Sequence, residues 1–418
     1  MERYIGPAIS IIVFVIWLVI SKDFSFAFSR AVSVLIISCP LILGAFSYMS
    51  FKIGEKVADK NGIMFKNRSA LINAGKVQNI AMDLTGTITE GHYVVTDISS
   101  ADHFTMSGYA VGGYSDDELL EVAALLEKKN DHPVAKAIMK FADDILIEAE
   151  DEITDFLIYP GQGLEGYLDG ILIRGGNLSF IEEKVSVPAE IKLRAEELAA
   201  TGKTPVFFSR GKRLLGLITV SDNIKKESEK AISELKGLGL RVIMLTGNNE
   251  ETAKAIADDI GVDEVIPGVS SNNKENVVKE LMSRGKLAVI GKNKNDAPSL
   301  KIADTGITTK EDDEAAIEAA DVVLTNNSLF DVACAIRLSR QILKNRKENY
   351  IWLATYSIIM IPLAAGVFYP VSRLVLNPLF CFILMGLITF FAFANSMRLN
   401  DFDIDDTSKD KKIVTTNK

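Results

Sequence analysis

Four uncharged, apolar stretches divide this chain more sharply than any other feature. They cover residues 4–21, 31–51, 350–372 and 374–397, two near each end of the 418 residues. A helix needs about 20 apolar residues to cross a hydrocarbon core, and each stretch reaches or approaches that length. The first has the short apolar run and preceding Arg3 of a secretory leader. No small-residue cleavage site follows Ile20, and the second stretch begins almost at once, which favours a helical hairpin. Lys52, Lys56, Lys60, Lys66 and Arg68 follow the second stretch, and Arg337, Arg340, Lys344, Arg346 and Lys347 precede the third. The short loops within the pairs carry only Lys22 and Arg30, or Arg373. Basic residues collect on the cytoplasmic side of a membrane, so the predicted layout is two spans, a cytoplasmic body of roughly 300 residues and two more spans, with both termini cytoplasmic. The bilayer is the first partner this implies.

Charge and cysteine usage remove other classes. With 46 Lys and Arg against 55 Asp and Glu, a nucleic-acid surface covering most of the molecule is excluded. Cys39, Cys334 and Cys381 have neither disulfide nor zinc-type spacing, and three histidines are too few for a His-rich metal buffer.

Within the body, 76–84 (KVQNIAMDL) reads as a buried strand closed by a Thr/Gly turn. Residues 240–245 (LRVIML) repeat the pattern before Thr246-Gly247, and 287–290 repeat it before Gly291. Helical stretches at 225–236 and 250–260 intervene. This alternation predicts a doubly wound, mostly parallel α/β sheet, with sites at the carboxyl ends of its strands. Residues 95–205 break the alternation with a helical segment at 116–149 and a glycine-punctuated strand segment at 156–177, as a separate α+β insert would. The predicted domains are a hairpin at 1–51, an α/β domain from 52–94 and 206–345, the insert at 95–205, a second hairpin at 346–398 and a tail at 399–418, whose charged part, 401–418, is expected to be disordered.

Asp83 ends the first strand in Asp-Leu-Thr-Gly-Thr-Ile-Thr-Glu. A carboxylate there, beside the N–H groups of a tight turn, has the chemistry to attack a phosphoryl group; the commoner role of one Asp is to cap a turn. Thr246-Gly247 ends the second strand, Lys274 precedes the third, and Asn295-Asp296-Ala297-Pro298 follows it. Together these resemble the phosphorylation domain of P-type ATPases, within the haloacid-dehalogenase-like superfamily. The resemblance covers almost the whole chain and narrows to the heavy-metal, copper-type branch. Glu127 with Asn130-Asp131-His132-Pro133 is similar to that branch's Ser-Glu-His-Pro locus in the nucleotide-binding domain, and Gly161-Gln162-Gly163 to its glycine pair. Ser38-Cys39-Pro40-Leu41 occupies the place of Cys-Pro-Cys, Tyr356-Ser357 that of Tyr-Asn, and Met385-Gly386-Leu387-Ile388-Thr389 that of Met, two variable residues and Ser-Ser.

The resemblance implies Asp83 as phosphoryl acceptor, with Thr85, Thr246, Gly247, Lys274, Asn295 and Asp296 around it. It implies ATP or ADP held by Glu127, His132, Gly161 and Gly163. It also implies Cu⁺ or another soft ion at Cys39, Met385 and, more weakly, Tyr356. The departures fall on the chemistry. The family's Lys after the acceptor is Leu84, its Thr-Gly-Asp ends in Asn248, and its Gly-Asp-Gly becomes Gly291-Lys292-Asn293. An ammonium at about 4 Å from Mg²⁺ repels it by several kcal/mol even at an effective dielectric near 20. Lys292 therefore argues against Mg²⁺ and suits a cation substitute that holds phosphate or Asp83. Leu41 and Ser357 thin the metal site to one thiolate and one thioether; a packing Cys beside a kinking Pro and a core Met are an equal alternative. The family's actuator domain precedes the segment where this chain starts, so a full pumping cycle by this chain alone is not expected.

Two functions follow. The first is a heavy-metal P-type ATPase-like membrane protein that binds ATP or ADP, with phosphorylation and pumping weakened or lost and a regulatory or structural role beside a membrane partner. The second is an active copper-type transporter that uses an actuator domain from another polypeptide. A membrane-anchored phosphatase is disfavoured, because soluble relatives carry a second acid two residues after the nucleophile and this chain has Thr85 there.

Overall fold

A computed structural model describes residues 5–38, 40–101, 115–147, 151–270, 273–326, 328–373 and 375–412. The chain forms two compact units: 1–76 with 322–326 and 334–406, and 77–321 with 327–333 and 407–418.

The second unit is built on five parallel strands. They are β1 (Asn79–Asp83), β2 (Arg241–Leu245), β3 (Glu264–Ile266), β4 (Leu287–Ile290) and β5 (Thr305–Thr309). Their order is β5-β4-β1-β2-β3, so β1 is central. Strands buried on both faces should be near-continuous apolar runs, and Ile80, Ala81 and Met82 of β1 are each 0% exposed. Ala81 is level with Ile243 of β2 and with Val289 of β4. That register brings Asp83, Thr246 and Gly291 to one edge of the sheet, each at or just past the end of its strand. Helices Ser228–Gly237 and Glu250–Ile260 occur where the sequence predicts them.

The insert is a six-stranded antiparallel sheet. Its order is Thr89–Ser100, Arg213–Ile224, Thr204–Arg210, Ile171–Gly176, Gly163–Leu168, Thr154–Tyr159. Residues 95 and 205, the predicted bounds of the insert, fall inside its strands. Neighbouring residues point to opposite faces of a strand, and the sheet is covered on both sides accordingly. Phe208 joins Leu119, Leu126 and Ile138 in one core, and Phe207 joins Phe180, Ile191 and Leu198 in the other. The segment predicted as helical over 116–149 is two helices, Asp116–Glu127 and Pro133–Asp144. Pro133 at the first turn of the second helix starts it afresh.

The first unit carries helices Ile5–Ser21, Phe24–Ile37, Pro40–Lys60, Leu329–Ala365 from residue 334 on, and Pro378–Met397, with strand Ile63–Phe65 antiparallel to Val322–Leu324. Among the described residues one helix, Pro378–Asp401, is long and apolar enough to cross a membrane; Gly6–Ser21 and Phe24–Ile37 are shorter apolar helices. The single helix expected over 31–51 is divided, ending at Ile37 and restarting at Pro40, where the ring removes an N–H. The stretch 350–372 is divided: up to residue 365 it belongs to the far longer Leu329–Ala365, which stops at Gly366 with φ +78°, and a short helix, Tyr369–Ser372, follows. The start of the stretch expected to be disordered, 401–406, is ordered in this unit: Ile404 is buried, and the Arg337 guanidinium donates to its carbonyl.

Candidate functional site

At the carboxyl edge of the parallel sheet the chain turns sharply after Asp83. Gly86 takes φ +75°, a conformation open to glycine, and its N–H donates to Thr89 Oγ1 at 3.0 Å. Asp83 Oδ1 accepts the Leu84 N–H at 3.1 Å. Lys274 joins the two acids of the site, with Nζ 3.0 Å from Asp83 Oδ2 and 2.7 Å from Asp296 Oδ1. The other Asp296 oxygen accepts the N–H groups of Lys292 and Asn293 at 3.0 and 3.1 Å. Burial raises the Asp83 carboxyl above the ordinary range, the Lys274 ammonium opposes this, and the Asp296 charge adds to it. Burial alone would depress Lys274, but its two carboxylates outweigh that and hold it above the usual lysine value. The two shifts agree with a cluster of two acids and one ammonium, which is one negative charge in excess.

Thr246 is buried and its Oγ1 accepts the Asn248 N–H at 3.1 Å; Gly247 is exposed beside it. Thr85 Oγ1 lies 3.4 Å from the Tyr93 hydroxyl. Asn295 is exposed in the 3₁₀ turn Lys294–Asp296. Leu84 is buried. The ammonium on Asp83 is that of Lys274; of the two partners expected for Lys292, phosphate or Asp83, the acid is taken by Lys274. Lys292 Nζ faces Asp312 Oδ1 at 3.9 Å, and its stem lies against the Gly86 turn. Burial and the neighbouring Lys225 lower its pKa to about 8.

The donor set does not fit Mg²⁺. Asp296 is committed to Lys274 and two N–H groups, Asn248 offers no charge, and Lys292 brings a positive one. Among the described residues no three His, Cys, Asp or Glu side chains converge as metal ligands.

In the insert, Glu127 is 3% exposed and receives Asn130 Nδ2 at 2.7 Å; burial pushes its carboxyl up to about 7, against that hydrogen bond. His132 caps the next helix, its Nδ1 accepting the Val134 N–H at 3.3 Å, and partial withdrawal from water lowers its pKa. An Nδ1 that accepts leaves Nε2 as the donor. Gly163 is packed so closely that a Cβ would stand 2.3 Å from the Gly175 carbonyl oxygen. Gly161 takes φ +76° with open space where a Cβ would be. Gly175 packs on Leu126, the neighbour of Glu127, which ties the glycine hairpin to the helix that presents the acid.

Cys39 and the side chain of Leu41 lie outside the described residues. Met385 is half-buried, and its carbonyl accepts Thr389 Oγ1 at 2.8 Å. Ser357 is half-buried. Tyr356 packs in one cluster with Cys381, a residue assigned no role from the sequence. Asp222, likewise without a role from the sequence, takes the N–H groups of Gly91 and His92 at 3.0 and 3.2 Å and the Thr89 hydroxyl. Its signal was a carboxylate at the end of a long apolar strand.

The profile of the haloacid dehalogenase-like hydrolases matches residues 77–304, more than half of the chain. The chain belongs to that family. Two homologues of this haloacid dehalogenase-like chain extend beyond that domain. The Copper-exporting P-type ATPase B of Archaeoglobus fulgidus is 36% identical over 92% of this chain and 53% of its own length. The Copper-transporting ATPase 1 of Rhizobium meliloti is 38% identical over 94% and 46%. The chain thus spans about half the length of the curated relatives it matches. Among solved structures, a zinc-transporting PIB-type ATPase in the E2.Pi state aligns over 94% of this chain and 62% of its own, with 28% identity and a TM-score of 0.67.

Proposed function

We propose that this haloacid dehalogenase-like chain is the nucleotide-binding and membrane-embedded part of a heavy-metal P-type ATPase-like protein, in which phosphorylation of Asp83 is weakened or lost. The observation that carries the reading is the charge at the mouth of the site. Transfer from ATP to Asp83 would form an Oδ–P bond as the P–O bond to ADP breaks, and charge neutralisation dominates such a step. Here the two acids are bound to Lys274, and a lysine stands where the family supplies a carboxylate.

The insert, through His132, the acid Glu127 and the Gly161–Gly163 turn, is the binding site for ATP or ADP. The four apolar stretches are membrane spans, with the α/β unit and both termini cytoplasmic. Cu⁺ or a related soft ion is the cargo class, with Cys39, Met385 and Tyr356 as a thinned ligand set. The homology to copper-transporting P-type ATPases supports the nucleotide, the membrane setting and the cargo class.

The test is labelling with Mg·ATP carrying a radioactive γ-phosphate. Wild type should form little hydroxylamine-sensitive phosphoenzyme, and Lys292→Asp with Asn248→Asp and Leu84→Lys should gain label at Asp83. Strong wild-type labelling that disappears in Asp83→Asn would establish the active transporter instead.

A further inference from the structure

Helix Leu329–Ala365 changes character near residue 349, from a stretch rich in Arg and Lys to the apolar stretch that begins at 350. At that change the first unit has a groove of about 450 Å³, lined by Leu343, Arg346, Lys347, Tyr350, Ile351 and Ala354. Residues three and four apart are neighbours on a helix surface, so the six share one face. Arg346 is held in place by rings: its guanidinium carbon lies 5.3 Å from the ring centroids of both Phe51 and Tyr350, and Phe51 is buried. Such contacts restrain the group but give its N–H groups no acceptor. The Arg346 Nε is buried and has no hydrogen-bond partner among the described residues. Among the same residues neither Arg346 nor the exposed Lys347 forms an ion pair. The adjacent acid, Glu348, faces Asn395 Nδ2 at 3.5 Å.

A buried N–H without an acceptor is costly, and more so on a guanidinium, which stays charged. A phosphate group supplies negative charge and several acceptor oxygens in a geometry that suits arginine. The other half of the groove restricts which phosphate. Ile351 and Ala354 are exposed and apolar, and at 1.5 Å per residue they lie about 7–12 Å along the helix from Arg346. A free phosphate or a nucleotide leaves that half uncovered; an amphiphile with a phosphate at one end and hydrocarbon at the other covers both. The lining holds two cations and no acid, so the ammonium of a zwitterionic headgroup meets no partner there. Trp352, 46% exposed beside Ile351, is of the type that collects at the level of lipid headgroups.

We propose that Arg346 and Lys347 bind the phosphate of an anionic phospholipid, with the start of an acyl chain laid along Tyr350, Ile351 and Ala354. This rests on the reading of 350–372 as a membrane span, and adds to it a lipid class and the residues that select it.

The experiment reconstitutes the full chain into vesicles of phosphatidylcholine and phosphatidylglycerol, with bromine on the chains of one lipid or the other in turn. Bromine quenches tryptophan at short range. The chain has two tryptophans, and Trp17 is 8% exposed and donates to the Ala365 carbonyl at 2.6 Å. The Trp352 signal, taken as the quenching lost in Trp352→Phe, should report phosphatidylglycerol enriched about fivefold over its share of the bilayer, the order that one basic residue supplies at an anionic surface. Lys347→Gln, at an exposed position, should lower the enrichment, and Lys347→Gln with Arg346→Gln should abolish it. Arg346→Lys keeps the charge and loses the buried donor, so enrichment should fall there too. Millimolar inorganic phosphate should not compete. Full enrichment in Arg346→Lys would reduce the effect to bulk charge, and displacement by inorganic phosphate would assign a free-phosphate site; either overturns the proposal. Equal quenching by the two lipids refutes the site and leaves the span standing, whereas Trp352 quenched by neither refutes the span and the site together.

Discussion

Replacing Lys274 by Met removes the single ammonium shared by Asp83 and Asp296 while keeping much of its volume. The side chains of Lys274, Asp83 and Asp296 are 11%, 19% and 3% exposed, so the pair bonds at 3.0 and 2.7 Å are well shielded from water. Taking one partner from a buried ion pair costs about 3–5 kcal/mol, because the remaining charge stays buried. Here two carboxylates would be left facing each other, which places the expected loss at the upper end of that range. The Asp83 pKa, already raised, should rise further in the variant, since the attraction that opposed its burial is gone. A folded-state pKa above the unfolded one adds stability that is present at low pH and lost as pH rises through the folded value. The defect of Lys274→Met should therefore be largest near neutrality and shrink on acidification, as protons replace the ammonium. Hydrogen exchange of the β1 amides reports it locally, free of the first unit. At pH 7 those amides should exchange about 10²–10⁴ times faster than in the parent, the equivalent of that energy range. Protection changed by less than about tenfold, or a defect that grows as the pH falls, would refute the account.

Four shorter expectations can be checked alongside. Glu127→Gln removes an acid whose pKa is about 7 in the fold. The parent loses stability as pH rises from the unfolded value through 7, so the variant should be more stable by up to about 3 kcal/mol above pH 7 and equal below pH 4, read by exchange in helix Asp116–Glu127. Lys292, at about 8, should label with amine reagents along a pH curve centred near 8, well below the curve of an ordinary exposed lysine. Gly163→Ala forces a Cβ to 2.3 Å from a carbonyl oxygen and should destabilise the insert by about 1–3 kcal/mol and weaken nucleotide binding, whereas Gly161→Ala meets open space and costs about 1–2 kcal/mol from its positive φ alone. Asn349→Leu breaks a buried amide network with Ser396 and Asn395 at 3.0 and 2.9 Å, and should lower the melting temperature of the detergent-solubilised protein.

The strands that carry Asp83, Thr246 and Gly291 were legible because buried parallel strands are nearly pure apolar runs, and each of these ended at Gly, Thr or Asp. Their convergence at one edge follows from parallel topology. The pairing of Lys274 with both Asp83 and Asp296 was not legible, since it joins residues 191 and 22 positions apart through folding alone. The same limit hid the approach of Lys292 to Asp312, which no motif joins to it. The split at Pro133 was available in principle, because Asn-Asp-His-Pro is a helix-start signal within a helical pattern. The division at Pro40 was masked by hydropathy, which counts apolar residues and ignores the missing N–H. The tail misled through its charge: Arg337 supplies a partner for its backbone from 67 residues away.

The insert leaves and re-enters the parallel-sheet domain through two neighbouring strands, Thr89–Ser100 and Arg213–Ile224, and the Lys225 N–H meets the Ile88 carbonyl at 3.1 Å where they cross. The chain on either side is thus held one hydrogen bond apart. Removing everything between these points and closing the gap with a short turn would keep the two ends at their present spacing, at the loss of the Thr89 hydroxyl that holds the Gly86 turn. In the same way a foreign sequence with adjacent ends could be grafted there. The arrangement makes the insert a cassette: its contents can diverge, be exchanged or be lost without requiring the acceptor domain to refold around a new spacing, so the two halves of the chain's chemistry are free to evolve at different rates.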